Sequence, residues 1–204
     1  MTRGDDGTDD GETAGARAEF REGFPFVGGA AWIDFVDTRP LDPAGRPIDL
    51  IATPEALATW ARLAEIPLAT APTASDHPRA LALRDALRDL FETTSRGEPP
   101  EPAAAAVVEA ELERVRLAPR LAHDGGDWRL DERLDGDLCG ALALDFARFV
   151  CEVEPQRLKH CANPACSMVF HDVGKNNRRR WCTMSVCGNR DKVARFRARH
   201  ARPT

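Results

Sequence analysis

Apolar positions first become dense over residues 24–38, where Trp32, Ile33, Phe35 and Val36 stand almost side by side. A run this short has no decisive period and fits a short strand or a buried helix equally well. Residues 39–49 carry Pro40, Pro43 and Pro47 and read as a loop. Thr53 then offers a capping hydroxyl, Pro54 a preset first turn, and Glu55 a charge suited to a helix N-terminus. With Leu57, Trp60, Ala61 and Ala64 on one face, these residues predict a helix reaching about residue 66. Asp76 and Pro78 open a second helix, whose Leu83, Leu87, Leu90 and Phe91 recur at helical spacing. A break at Arg96-Gly97-Glu98-Pro99-Pro100 precedes a third helix over about residues 103–113, with Val107, Val108 and Leu112 inward. Alternation at residues 115–117 and 128–130 around Asp124-Gly125-Gly126-Asp127 predicts a hairpin. A longer helix follows over about residues 138–152, with Leu142, Phe146, Phe149 and Val150 in its apolar pattern. Cys139 and Cys151 lie in that helix and read as buried structural thiols.

Charge changes the picture near residue 156. Residues 1–155 hold 16 Arg and no Lys against 31 Asp or Glu, a balance of −15, whereas residues 156–204 hold 12 Lys or Arg against two Asp, a balance of +10. The overall −5 averages these unlike parts. A compact basic end is the footprint of a polyanion binder. Residues 1–19 are acidic and Gly-rich, without a large apolar residue after Met1, and read as a disordered tail. The chain thus divides into a tail (1–19), a domain of residues 20–155 and a small module of residues 156–204. No apolar run approaches the roughly 18–20 residues of a membrane helix, and no signal segment opens the chain, so a cytoplasmic location is expected.

Four of the six cysteines fall in the basic module as C-x4-C-x15-C-x4-C: Cys161, Cys166, Cys182 and Cys187. Two close pairs of thiolates suit a tetrahedral zinc ion, and four thiolates close its shell, so the expected metal is one structural Zn2+. Asn163-Pro164 supplies a turn for the first pair. Val169-Phe170-His171 and Arg179-Arg180-Trp181 are expected to pair as short strands, and a helix is expected from about Asn189 to His200. His160 and His171 read as neighbours of the site rather than ligands. Phe170, Trp181, Val193 and Phe196 are the apolar residues available to pack around the metal. The fold class expected is therefore α+β: a mainly helical N-terminal domain with a small β element, then a zinc-bound knuckle, β-hairpin and helix.

The remaining positions of the module are basic. Lys175, Arg178, Arg179 and Arg180 crowd the loop and second strand, while Lys192, Arg195 and Arg199 form one helical stripe and Arg190 and Arg197 another. Such stripes suit phosphates. At the helix start, Asn189 and Arg190 have the chemistry to meet adenine and guanine edges.

Cys187-Gly188-Asn189-Arg190 closing a four-cysteine module resembles the CGNR zinc-finger family, as do Phe170, Arg179-Arg180-Trp181-Cys182 and Met184. The resemblance spans about residues 157–200. The preceding part resembles the ABATE domain through Gly28-Gly29, residues 32–38 and the Thr53-Pro54-Glu55 helix start. That family pattern usually reads D-F-x-N-T, so Asp37 stands where an Asn is usual. The resemblance implies a stress-linked transcription regulator that binds DNA through its finger.

The function expected is thus a zinc-finger DNA-binding regulator acting on double-stranded DNA at the nucleoid. Its N-terminal domain would sense a small-molecule effector or form a homodimer. Trp32, Asp34, Asp37, Thr38 and Arg39 are the candidate ligand pocket. RNA binding or protein interaction by the same module is the alternative. No hydrolase, metalloprotease or phosphate-loop motif points to an enzyme.

Overall fold

The computed structural model describes residues 19–42, 44–68 and 70–200. Of the expected acidic tail, only Glu19 falls among them. A minimal hairpin, β1 (Phe20–Arg21) and β2 (Phe24–Pro25), leads into α1 (Ala31–Val36). Trp32, Ile33, Phe35 and Val36 are all buried in α1, so the ambiguous run is a helix. It has no polar face because later elements surround it, which is why its sequence shows no period.

The helices follow their capping signals closely. In α2 (Pro54–Leu63) the Thr53 hydroxyl accepts from the Ala56 N–H at 3.2 Å. In α3 (His77–Ser95) Asp76 does not cap the helix; its carboxylate turns back to accept from the Thr73 N–H and hydroxyl and from Arg79. Glu101 caps α4 (Pro102–Leu112) through the Ala104 N–H, and Asp137 caps α5 (Leu138–Glu152) through the Gly140 N–H. Helices α1, α3 and α5 pack on one another around Trp32, whose ring lies 5.1 Å from Phe146, 5.4 Å from Phe149 and 6.1 Å from Phe91. Trp60 of α2 stands 5.0 Å from Phe35 on the other side of α1. Cys139 is buried here, but Cys151, at the last turn of α5, is exposed, contrary to the expectation of a buried thiol. Its neighbours Phe149, Val150 and Val153 still pack against the core, and Cys151 lies on the outer face of the helix.

Two charged clusters are built into this domain. Arg84 is almost fully buried and grips Asp49 through both guanidinium nitrogens at 2.7 and 2.6 Å. Glu111, Asp137 and Cys139 bring their ligand-type atoms together. The Arg79 guanidinium already bonds both carboxylates there, so this cluster is an ion-pair network.

Between α4 and α5 rises a long hairpin, β3 (Arg116–Asp124) and β4 (Asp127–Asp135). Its two-residue turn needs positive φ at both positions, and Gly125 (+58°) and Gly126 (+100°) supply it without steric cost. The strands are nine residues each, longer than the alternating triplets that predict them.

The apolar core continues past the change of charge at residue 156. Strand β5 (Leu158–His160) pairs antiparallel with β6 (Val169–His171). Leu158 and Val169 join the same buried cluster as Trp32 and Phe91. This corrects the expected hairpin: β6 pairs with the segment before the first cysteine, and residues 179–181 form no strand. Asp172 explains the difference. Its carboxylate accepts the Arg179 N–H at 2.8 Å and so takes the backbone donor that a strand ladder would have used. Helix α6 (Asn189–His200) is the last element among the described residues, preceded by a π-type turn over Met184–Gly188.

Candidate functional site

Two turns carry the four cysteines. Cys161 and Cys166 sit in the connection between β5 and β6, where the Asn163 carbonyl accepts the Cys166 N–H at 2.9 Å and the Asn163 side chain accepts the Ala165 N–H at 3.1 Å. Cys182 precedes the π-type turn and Cys187 lies within it; the Thr183 hydroxyl caps the turn through the Ser185 N–H. All four sulfurs lie within 4.8 Å of one another. Cys182 Sγ is 3.8 Å from Cys166 Sγ and 3.7 Å from Cys187 Sγ. Four sulfurs at about 2.3 Å from a tetrahedral zinc ion would be about 3.8 Å apart, so the donor set fits one zinc ion. The Asn163 amide donates to Cys187 Sγ and the Cys182 N–H donates to Cys161 Sγ, contacts that favour thiolates. The four cysteines thus form a single zinc site with a closed, all-sulfur shell.

His160 and His171 are not part of it. His160 meets Glu92 of α3 at 3.0 Å, and the His171 ring packs edge-on to Phe149 of α5.

Two residues hold the site together that sequence reasoning misjudged or missed. Arg179, expected to face nucleic acid, turns inward: its guanidinium lies 4.2 Å over the Phe170 ring and donates to the carbonyls of Val27, Trp181 and Cys182. Asp172 is buried and accepts from the Lys159 ammonium and from the N–H groups of Gly174 and Arg179. Burial pushes its pKa up, but these donors outweigh that and hold it below the usual carboxylate range. The signal available in sequence was its rarity: residues 156–204 contain two acidic residues, and a lone carboxylate among twelve cations is a natural hub.

The finger is fixed to the N-terminal domain by direct bonds. Gly29 has φ +87°, a region open to glycine, and an added Cβ would lie in contact with the His171 carbonyl at 3.4 Å. Beside it, the Gly28 carbonyl accepts the His171 N–H at 2.8 Å. Asp37 accepts the Val169 N–H at 3.0 Å. Arg88 of α3 donates to the Ser167 carbonyl, and Glu19 accepts from the hydroxyls of Thr183 and Ser185.

These contacts replace the candidate ligand pocket. Trp32 and Thr38 are 1% and 0% exposed inside the core, Asp34 accepts the Gly28 N–H, Asp37 holds β6, and Arg39 reaches out to Asp85 on the surface. Trp32 and Asp34 lie in α1 while Asp37, Thr38 and Arg39 follow it, and each makes its own separate contacts. Asp37 is fully buried and its Oδ2 has no partner. Burial drives its pKa well above the usual value; Val169 and Arg88 oppose this and Asp34 adds to it. Asp34 is likewise raised by burial, to about 7. A group that binds its proton more tightly when folded costs stability as pH rises from its unfolded pKa, about 4, towards its folded one. Asp37→Asn keeps the Oδ1 acceptor and removes that titration. Its melting temperature should match the wild type near pH 4 and exceed it increasingly towards pH 7–8; parallel curves across that range would refute the assignment.

The other expected nucleic-acid residues lie on the outside. Lys175, Arg178, Arg180, Arg190, Lys192, Arg195, Arg197 and Arg199 are exposed, with Arg180 over the Trp181 ring and Arg195 bonded to Asp191. Asn189 is exposed too, but its amide donates to the Ser185 carbonyl and so closes its own turn. Helix α6 has no buried residue. Val193 and Phe196 are 48% and 56% exposed, so they do not pack around the metal as expected. Phe170 and part of Trp181 fill that role, with Val27 and Met168.

Among the described residues, no helix is long and apolar enough to cross a membrane. A search of curated proteins finds no match. Two family models match in tandem. The CGNR zinc finger covers residues 157–200. ABATE, described as "Putative stress-induced transcription regulator", covers residues 29–153, more than half of the chain. With a four-sulfur zinc site locked onto a helical core in that order, the chain belongs to the ABATE family and carries a CGNR zinc finger at its C-terminal side.

Proposed function

We propose that this protein is a DNA-binding regulator, that its zinc ion is structural, and that it is not an enzyme. The observation that carries the reading is α6: a twelve-residue helix, exposed on every face, bearing five Lys or Arg against one Asp. A helix about 10–12 Å across with its side chains fits the width of the DNA major groove. Arg178 and Arg180 extend the positive surface at the base of the finger, while the domain of residues 20–155 is acidic and would be repelled by phosphate. In this reading the N-terminal domain regulates the finger by binding an effector or a second copy, and the protein works at the nucleoid.

The test is retention of genomic DNA fragments by the zinc-loaded protein, followed by affinity measurement against salt on the recovered sequence. If about 6–8 phosphates are engaged, the log–log slope is about −5 to −7. Replacing Arg195 and Arg199 with Ala should flatten the slope by about 2. A slope near zero, or retention without any shared motif, would overturn sequence-specific DNA binding. One feature favours RNA as the second reading: Phe196 is exposed and stacks on His200 at 4.1 Å, an aromatic surface of the kind unpaired bases use. Preferential retention of structured RNA over duplex DNA would select it.

A further inference from the structure

The β3–β4 hairpin is an unfinished sheet. Its register places Leu117 opposite Leu134, Leu121 opposite Leu130 and His123 opposite Trp128, all on one face. Away from its base that face is bare: Leu121, Trp128 and Leu130 are 64%, 69% and 72% exposed. A two-stranded hairpin is marginal in water; a sheet of three or more strands with an apolar face is not. Among the described residues, no strand other than β3 pairs with β4.

The two outer edges differ. With a two-residue turn, the N–H groups of Leu117, Pro119, Leu121 and His123 positions face outward on β3, and those of Trp128, Leu130, Glu132 and Leu134 on β4. Pro119 has no N–H, so the β3 edge is blocked. The β4 edge is intact, and an intact edge is a template for another strand.

The charges on β4 say which strand. On its polar face β4 reads Asp127, Arg129, Asp131, Arg133, Asp135. If two copies of β4 meet antiparallel with Leu130 on the two-fold axis, Arg129 of each opposes Asp131 of the other, and Asp127 opposes Arg133. That register gives four opposite-charge pairs and sets Leu130 against itself. Moving the axis by one residue, to Asp131, sets Arg129 against Arg133 and Asp131 against Asp131, which is repulsive. Moving it by two, to Glu132, again pairs Asp131 with Arg133 and Arg129 with Asp135 but sets Glu132 against Glu132 on the other face, so the Leu130 register pairs the most opposite charges without a like-charged one.

We infer that this protein forms a homodimer through the β4 edge, giving a four-stranded sheet in the order β3-β4-β4-β3. This deepens the dimerisation part of the proposed function. A two-fold dimer would present two copies of α6 to a palindromic site.

The experiment is analytical ultracentrifugation of the full-length, zinc-loaded protein without DNA, so its result is independent of DNA binding. D127R makes the 127–133 pairs like-charged, yet within one chain it relieves the opposition of Asp124 and Asp127, so it does not weaken the hairpin itself. R133D makes the same pairs like-charged with the other sign. Wild type should sediment as a dimer. Each variant alone should dissociate at least about tenfold more readily, because two attractive cross-strand pairs become repulsive. An equimolar mixture of D127R and R133D should recover the dimer, since both pairs are again opposite in charge. A monomeric wild type, single variants as dimeric as wild type, or a mixture that stays monomeric would each overturn the proposal.

Discussion

Removing the zinc ion should destabilise the entire chain, not only its last 44 matched residues. The reason lies in how the finger is built. Its own apolar residues are Met168, Phe170 and the cysteines, with part of Trp181 and Val186, joined by Val27 from the N-terminal domain, which is too little to order the segment alone. The metal therefore supplies folding energy directly, on the order of 10 kcal/mol in isolated zinc modules. Yet β5 and β6 also complete the N-terminal core through Leu158 and Val169, and β6 donates to Asp37 Oδ1 and to the Gly28 carbonyl. When the cysteines lose their ion, those core contacts loosen too. Cys182→Ser, or chelation of the wild type, should lower the melting temperature by at least about 10 °C, since about 1 kcal/mol corresponds to about 2–4 °C at this size. The loss should appear as a single transition shared by far-UV circular dichroism and by the fluorescence of the buried Trp32 and Trp60. Two separate transitions, with the tryptophan signal unchanged by chelation, would mean the finger is an independent module.

That coupling was not legible in the sequence, and the reasons are physical. The long helices were, because Thr53, Pro54 and Pro78 act locally at helix starts, and α5 runs over the residues its apolar pattern predicts. The zinc ligands were legible because four thiols at doubled spacing have few other uses. Helix α1 was not, since burial on all sides erases the period that would reveal it. Strand β5 is three residues with a Lys and a His among them, too short to carry a pattern, so the partner of β6 is hidden in the sequence. Composition also places cations in a segment without saying which way each points. Arg178, Arg179 and Arg180 are equivalent in sequence; in the structure the outer two are exposed and the middle one is the frame of the finger. Val193 and Phe196 fail in the opposite sense: apolar residues near a small metal core were expected to join it, but α6 projects beyond it.

Arg179 gives the sharpest test of that distinction. Its guanidinium donates to the carbonyls of Trp181, Val27 and Cys182 and covers Phe170. Arg179→Ala leaves those carbonyls short of a donor, at about 1–3 kcal/mol for a buried acceptor, and forfeits a cation–π contact of about 1–2 kcal/mol. Part of the loss is recovered by water, so a net cost of about 3–5 kcal/mol and a fall in melting temperature of roughly 10 °C are expected. Arg179→Lys should not restore stability, because one ammonium cannot reproduce a planar fork that reaches across both domains. Arg178→Ala and Arg180→Ala should stay within about 0.5 kcal/mol of wild type, as surface substitutions do. In DNA binding the order should be different: Arg178→Ala and Arg180→Ala should each reduce the salt slope by about 1, while Arg179→Ala, at a temperature where it remains folded, should keep the wild-type slope. An Arg179→Ala protein of unchanged stability with a reduced slope would place this guanidinium back on the nucleic-acid surface, where the sequence alone puts it.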